Sequence, residues 1–142
     1  MMKTPEGMWT HEESIETAAP AAKIWELFSD VAGWKKWNAG IEKIEIDGPF
    51  AKGTPFSMQL PGGETFASTL IDVRRNEGFT DETVIGETRV VVHHEILPLA
   101  PGRTRVTYRT AITGPAAAEF GSMVTADFPA VLAALKDLAE KT

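Results

Sequence analysis

A chain of 142 residues, 43% hydrophobic and 24% charged, can bury a core that stands without staples, and its lack of cysteine excludes disulfides, thiolate chemistry and cysteine-ligated zinc or iron–sulfur sites. With a formal net charge of −6 and basic residues only in small groups (Lys35-Lys36, Arg74-Arg75, Arg103, Arg105, Arg109), it lacks the positive face that phosphate neutralisation needs, so no nucleic-acid partner is expected. No apolar run approaches the roughly 20 residues of a bilayer span, and the start, MMKTPEGMW, has no leader-like stretch; the expectation is one cytoplasmic domain over residues 1–142, without stable membrane insertion.

In MWTHEESIETA, Trp9, His11, Glu13, Ile15 and Thr17 fall on one side of an extended strand, and Thr10, Glu12, Ser14 and Glu16 on the other. Pro20 then opens a short helix whose apolar face holds Ala21, Ala22, Ile24, Trp25, Leu27 and Phe28, ending near Ser29-Asp30. DVAGWKKWNAGI follows, with two tryptophans in a segment too rich in breakers for a regular helix. From Ile41 to Thr113 short alternating runs are divided by Asp47-Gly48-Pro49, Pro61-Gly62-Gly63, Asn76-Glu77-Gly78, Gly86 and Pro98 to Gly102. That is the pattern of an antiparallel meander, since parallel pairing needs crossovers this stretch cannot hold. After Pro115, Phe120, Met123, Val124, Phe128, Val131, Leu132, Leu135 and Leu138 make one apolar helical stripe. A helix from Ala116 to Lys141 is about 40 Å long at 1.5 Å per residue, and Pro129 kinks or divides it.

The order is strand, one or two short helices, six strands, long helix. One face of the sheet must be buried, and only the C-terminal helix is long enough to cover it. The segments MWTHEESIETAAPAAKIWELFSDVAGWKKWNAGI, DGPFAKGT, RRNEGFTDET, HHEILPLAPGRTRVTYRTAITGP and FPAVLAALKDLAE resemble, in order and over nearly the whole chain, the polyketide cyclase/dehydrase family of the START-like (SRPBCC) superfamily. The most specific piece is SDVAGWKKWN, similar to the family's Trp-x-x-Trp segment ahead of the second strand. The resemblance implies an α+β helix-grip fold: a curved antiparallel seven-stranded sheet wrapped around a long C-terminal helix, with two short helices between strands 1 and 2. It also implies an elongated apolar cavity between sheet and helix.

Trp34 and Trp37 either pack over one end of the sheet or line the mouth of that cavity. His93 and His94 are adjacent on one strand and so face opposite sides. Val90, Val92 and His94 share the more apolar, inward face. The inward faces of the first and last strands offer His11, Glu13, Tyr108 and Thr110. A polar group on a buried face costs about 1–3 kcal/mol unless it is paired, so these groups must bond one another, water or a ligand. If the protein is a cyclase or dehydrase, His94 or Glu13 serves as base and Tyr108 or His11 as donor to an enolate oxygen. The ligand surface is expected from Trp9, His11, Trp34, Trp37, Phe56 and Met58 on the sheet's first half. Val90, Val92 and Thr110 add to it from the later strands, and Phe120, Met123, Val124 and Phe128 from the helix. No local spacing suggests a metal site and no cofactor is expected. Asp81 and Glu82 read as a solvated face and a turn-side charge, and Asp127, Asp137 and Glu140 as ordinary helix solubility. The partner expected is a small hydrophobic molecule, held by a monomer or homodimer acting as carrier or sensor. A cyclase-like enzyme and a co-chaperone-like interaction module are the alternatives.

Overall fold

Burial alternates along β1 (Met8–Thr17): its odd-numbered residues turn to one face, while Thr10, Glu12, Ser14 and Glu16 stay exposed. The computed structural model describes residues 8–141, so most of the opening segment read for a leader lies outside the described residues. Pro20 sits at the N-cap of α1 (Ala21–Ser29) with φ −71° and ψ 159°, a conformation its ring fixes in advance. Ile24 and Phe28 of this helix are fully buried. The breaker-rich segment is not irregular: Val31–Lys36 winds as a 3₁₀ helix, and the backbone N–H of Trp37 closes it on the Trp34 carbonyl.

The remaining strands are β2 (Lys43–Ile46), β3 (Pro55–Gln59), β4 (Thr65–Arg74), β5 (Gly78–Ile85), β6 (Thr88–Ala100) and β7 (Arg103–Thr113). They join β1 in one antiparallel sheet of order β1-β7-β6-β5-β4-β3-β2. Two details differ from the sequence reading. β6 runs through Pro98 to Ala100, because Pro98 falls where the register with β7 shifts and a missing N–H is tolerated. β4 carries a register shift between Leu70 and Asp72, which bends the strand and increases local twist. Gly78, at φ 143°, starts β5 where a Cβ would stand 2.1 Å from the carbonyl oxygen of His94. Only glycine lets β5 approach β6 at that point.

The C-terminal stripe is a bent pair of helices, α2 (Ala117–Thr125) and α3 (Phe128–Glu140), with Ala126 and Asp127 at the break and Pro129 in the first turn of α3. Taken together, Ala117–Glu140 is long and apolar enough to cross a membrane. Here Val131, Leu132 and Leu135 are buried in the same core as Leu70, Val106 and Ile112. Full burial of such a side chain contributes about 1.5–3 kcal/mol, which seats α3 on the sheet. Its far end is pinned by Glu140, whose carboxylate accepts from Thr17 Oγ1 at 2.7 Å and from the Ala18 N–H at 2.9 Å. Glu140 is thus a tether to β1 as well as a surface charge. The outer face of the sheet is a charge ladder, with Arg109 bridging Glu12 and Glu95 and both Arg103 and Arg105 reaching Glu16. The architecture is the helix grip that the resemblance implies.

Candidate functional site

Because α2 packs on β1 and β7 and α3 on β1, with a bend between them at Ala126-Asp127, the helices do not close on the whole sheet. A hollow of about 460 Å³ remains. Trp34, Trp37 and Ile41 wall one side, Phe79, Val90 and Val92 form the floor, and Phe120, Val124, Phe128 and Val131 the roof. Met58, Leu60 and Phe66 continue the wall toward the turn at Pro61. Met123, on α2 at the rim, is 64% exposed although it lines the space.

The two tryptophans divide the alternatives left open by the sequence, since each does both things. Both are buried and both line the hollow. The indole N–H of Trp34 donates to the Phe28 carbonyl at 2.8 Å, so its polar atom is spent on the scaffold. Trp37 Nε1 is buried with no partner among the described residues.

The register sets the deeper polar groups. Phe79 pairs with His94 and His94 with Tyr108 across β5, β6 and β7. The three rings therefore stack in a row: Phe79 and His94 lie 4.0 Å apart and nearly parallel, and Tyr108 meets His94 edge-on at 4.5 Å. Nδ1 of His94 faces the Phe79 carbonyl at 3.3 Å, and Nε2 lies 3.9 Å from Asp81 Oδ2, beyond hydrogen-bond length. Burial among these rings lowers the pKa of His94 to about 3, so the imidazole is neutral. The same apolar surroundings raise Asp81 to about 7. Tyr108 is pushed up by burial first and then by the charges of Asp81 and Asp127, and its hydroxyl has no partner. Asp127, at the helix break, is raised by partial burial.

Of the residues singled out in the sequence, His94, Tyr108, Trp34, Trp37, Met58, Val90 and Val92 lie on the hollow, as do Phe120, Met123, Val124 and Phe128. Phe56 stands behind the wall, edge-on to Trp34 at 5.7 Å. Thr110 is fully buried in the sheet without reaching the space, its hydroxyl unpartnered. Trp9, His11 and Glu13 share the inward face of β1 but lie outside the hollow; Trp9 stacks on His11, and His11 Nε2 meets Glu13 at 3.1 Å. One reading is corrected and one is extended. Asp81 is not on a solvated face: its side chain is 15% exposed and lines the hollow. Asp127 is exposed, as a helix surface charge should be, but it also borders the same space. The signal for Asp81 was its parity with Phe79 and Ile85, and for Asp127 its place on the stripe Phe120, Val124, Asp127, Val131. Among the described residues no group of three His, Asp or Glu is placed to hold a metal ion.

A family model described as polyketide cyclase/dehydrase and lipid transport matches residues 8–140. No curated protein matches the chain in sequence. Among solved structures, the Zhui aromatase/cyclase from Streptomyces sp. R1128 aligns with a TM-score of 0.80 at 21% identity, over 94% of this chain and 94% of that one. Norcoclaurine synthase from Thalictrum flavum aligns with a TM-score of 0.76 at 17% identity, over 100% of this chain and 95% of that one. The di-domain ARO/CYC BexL from the BE-7585A biosynthetic pathway gives 0.81 at 16% identity, over 97% of this chain and 52% of that one. At such identities the likeness is one of fold.

Proposed function

The chain belongs to the polyketide cyclase/dehydrase and lipid transport family, and from that membership we propose that its hollow holds one small, largely apolar aromatic or polyketide-like molecule. The observation that carries this reading is a pair of donors on residues that line the hollow: Trp37 Nε1 and Tyr108 OH are buried beneath its surface and have no partner among the described residues. Each unpaired buried group costs about 1–3 kcal/mol. A ligand oxygen accepting from them offsets that cost, which an apolar side chain in the same space could not do. The volume of about 460 Å³ falls within the range of small-molecule sites, about 300–1,000 Å³. Such a protein would act in the cytoplasm as a carrier or sensor, as a single-domain monomer or homodimer.

The four indole N–H resonances give a direct test. On titration with a library of aromatic ketones and phenols, the Trp37 indole proton should move downfield and saturate. That of Trp34, already bonded to Phe28, should move little. If no member of the library shifts Trp37 by about 1 mM, a Kd worth only about 4 kcal/mol, the reading is wrong.

A second reading, catalysis, is favoured by one specific feature. Asp81 is a carboxyl poised near neutrality in an apolar space beside a neutral histidine, which is how a general base is prepared. In a cyclase-like reaction Asp81 would take a proton from an activated C–H bond. The electron pair would move onto the adjacent carbonyl, and the resulting enolate oxygen would accept from Tyr108. His94 would orient the carboxyl. Glu13, engaged with His11 outside the hollow, would not take part.

A further inference from the structure

We propose that the molecule held in the hollow carries a basic nitrogen, and that the hollow rejects carboxylates and phosphates. This rests on the ligand-binding reading above and narrows it. The charge census of the walls carries the argument. Asp81, Asp127 and Glu64 line the hollow, and among the described residues no lysine or arginine does. Cations exist elsewhere in the fold, but Arg89, Arg103, Arg105 and Arg109 are all committed to carboxylates: Arg89 to Glu82, Arg103 and Arg105 to Glu16, and Arg109 to Glu12 and Glu95. The Asp81 carboxyl makes no hydrogen bond among the described residues; His94 Nε2 is 3.9 Å away, and that ring is too thoroughly buried to carry a positive charge.

Three independent features converge on the same space. The carboxyls ask for a donor with positive charge. Tyr108 OH, buried, without a partner among the described residues and within the field of Asp81 and Asp127, can accept from an ammonium as well as donate. The walls are rich in aromatic side chains, among them Trp34, Trp37 and Phe128, and an aromatic ring attracts a cation and not an anion over its face. An anionic ligand would meet the buried carboxyl of Asp81, with the exposed Asp127 and Glu64 at the edge of the space and no lysine or arginine among the described lining residues. A free fatty acid is therefore a poor ligand for this member of a family whose description includes lipid transport.

The titratable groups facing the proposed nitrogen are Asp81 from β5, His94 from β6, Tyr108 from β7, Asp127 from the α2–α3 break and Glu64 from the turn before β4. Of these, Asp81 changes charge near neutrality. A bound ammonium favours its ionised form, so affinity should rise with pH until Asp81 is ionised in the free protein.

The test uses three probes on one methoxynaphthyl skeleton, bearing an ethylamine, an ethanol or an acetic acid arm. The ring and ether oxygen stay constant, so Trp37 has an acceptor in each. By calorimetry at pH 7, the amine should bind at least about tenfold tighter than the alcohol, a difference of about 1.4 kcal/mol, and the acid more weakly than both. Amine affinity should rise between pH 5 and pH 8 by up to about tenfold per unit, with the alcohol flat. Asp81→Asn should abolish the amine's advantage over the alcohol measured in the same variant, and Asp127→Asn should act in the same direction. Alcohol or acid binding as tightly as the amine overturns the inference and leaves the ligand-binding reading standing. Binding of none of the three, with the Trp37 indole resonance unmoved, overturns both.

Discussion

Asp81 and His94 titrate in opposite senses from one set of apolar surroundings, and this has a measurable consequence for stability. Asp81 is raised from 3.8 to about 7 on folding, and His94 is lowered from 6.5 to about 3. Between about pH 4 and 6.5 the folded chain keeps the proton on Asp81 and the unfolded chain keeps one on His94. The pair takes up no net proton on folding, so its effect on stability is flat there. Asp81→Asn leaves His94 alone: its contribution is full above pH 6.5 and is lost as pH falls toward 3. His94→Gln leaves Asp81 alone: its contribution is full below pH 3.8 and is lost as pH rises through 7. Urea denaturation at pH 4.5, 5.5 and 6.5 should give the two variants slopes relative to wild type of opposite sign, each about 1.4 kcal/mol per pH unit. Parallel slopes in all three proteins would show that the two groups are not desolvated together. The sequence disclosed only half of this pair. His94 was legible because Val90 and Val92 flank it at period two. Asp81 was not, because its neighbours Thr80, Glu82 and Thr83 are polar on both parities, leaving only Phe79 and Ile85 to mark the face.

At the scale of elements, helix and strand existence was legible, since texture changes from alternation to a helical stripe at Pro115 and turn residues divide the strands. The register shifts in β4 and β6 were not, because a bulge is a choice of pairing made between strands and leaves no composition signal of its own. Nor was the seating of α2. Gly121 reads as a weak point in a helix, but it is the contact surface: a Cβ there would meet the Trp9 ring at 2.4 Å. α2 lies on β1 through that glycine, and the same helix carries Phe120, Met123 and Val124 to the hollow. Gly121→Ala should therefore destabilise the fold by about 1–3 kcal/mol through overpacking, although alanine is the better helix former by about 1 kcal/mol. Thermal unfolding of the variant measures it. A rise in Tm would mean that the helix is not seated on Trp9.

For the whole molecule, a hollow is a stability cost kept for use. The walls around a void lose dispersion contacts on one side, and a ligand that fills it restores them. A ligand at 100 times its Kd adds about 2.7 kcal/mol to the native state, which for a chain of this size raises Tm by about 5–11 °C. Filling the space from the roof instead tests whether that gain comes from the hollow. Val124 faces it from α2 and is only half-buried, so a larger side chain has room to turn inward. Val124→Phe should leave the ligand-free Tm no lower than wild type, while the rise on adding the methoxynaphthyl amine disappears. Scanning calorimetry with and without the probe separates the terms. A variant that keeps the full ligand-induced rise would place the bound molecule outside the space between sheet and helix, because a phenyl ring and a naphthyl ring cannot share that end of it.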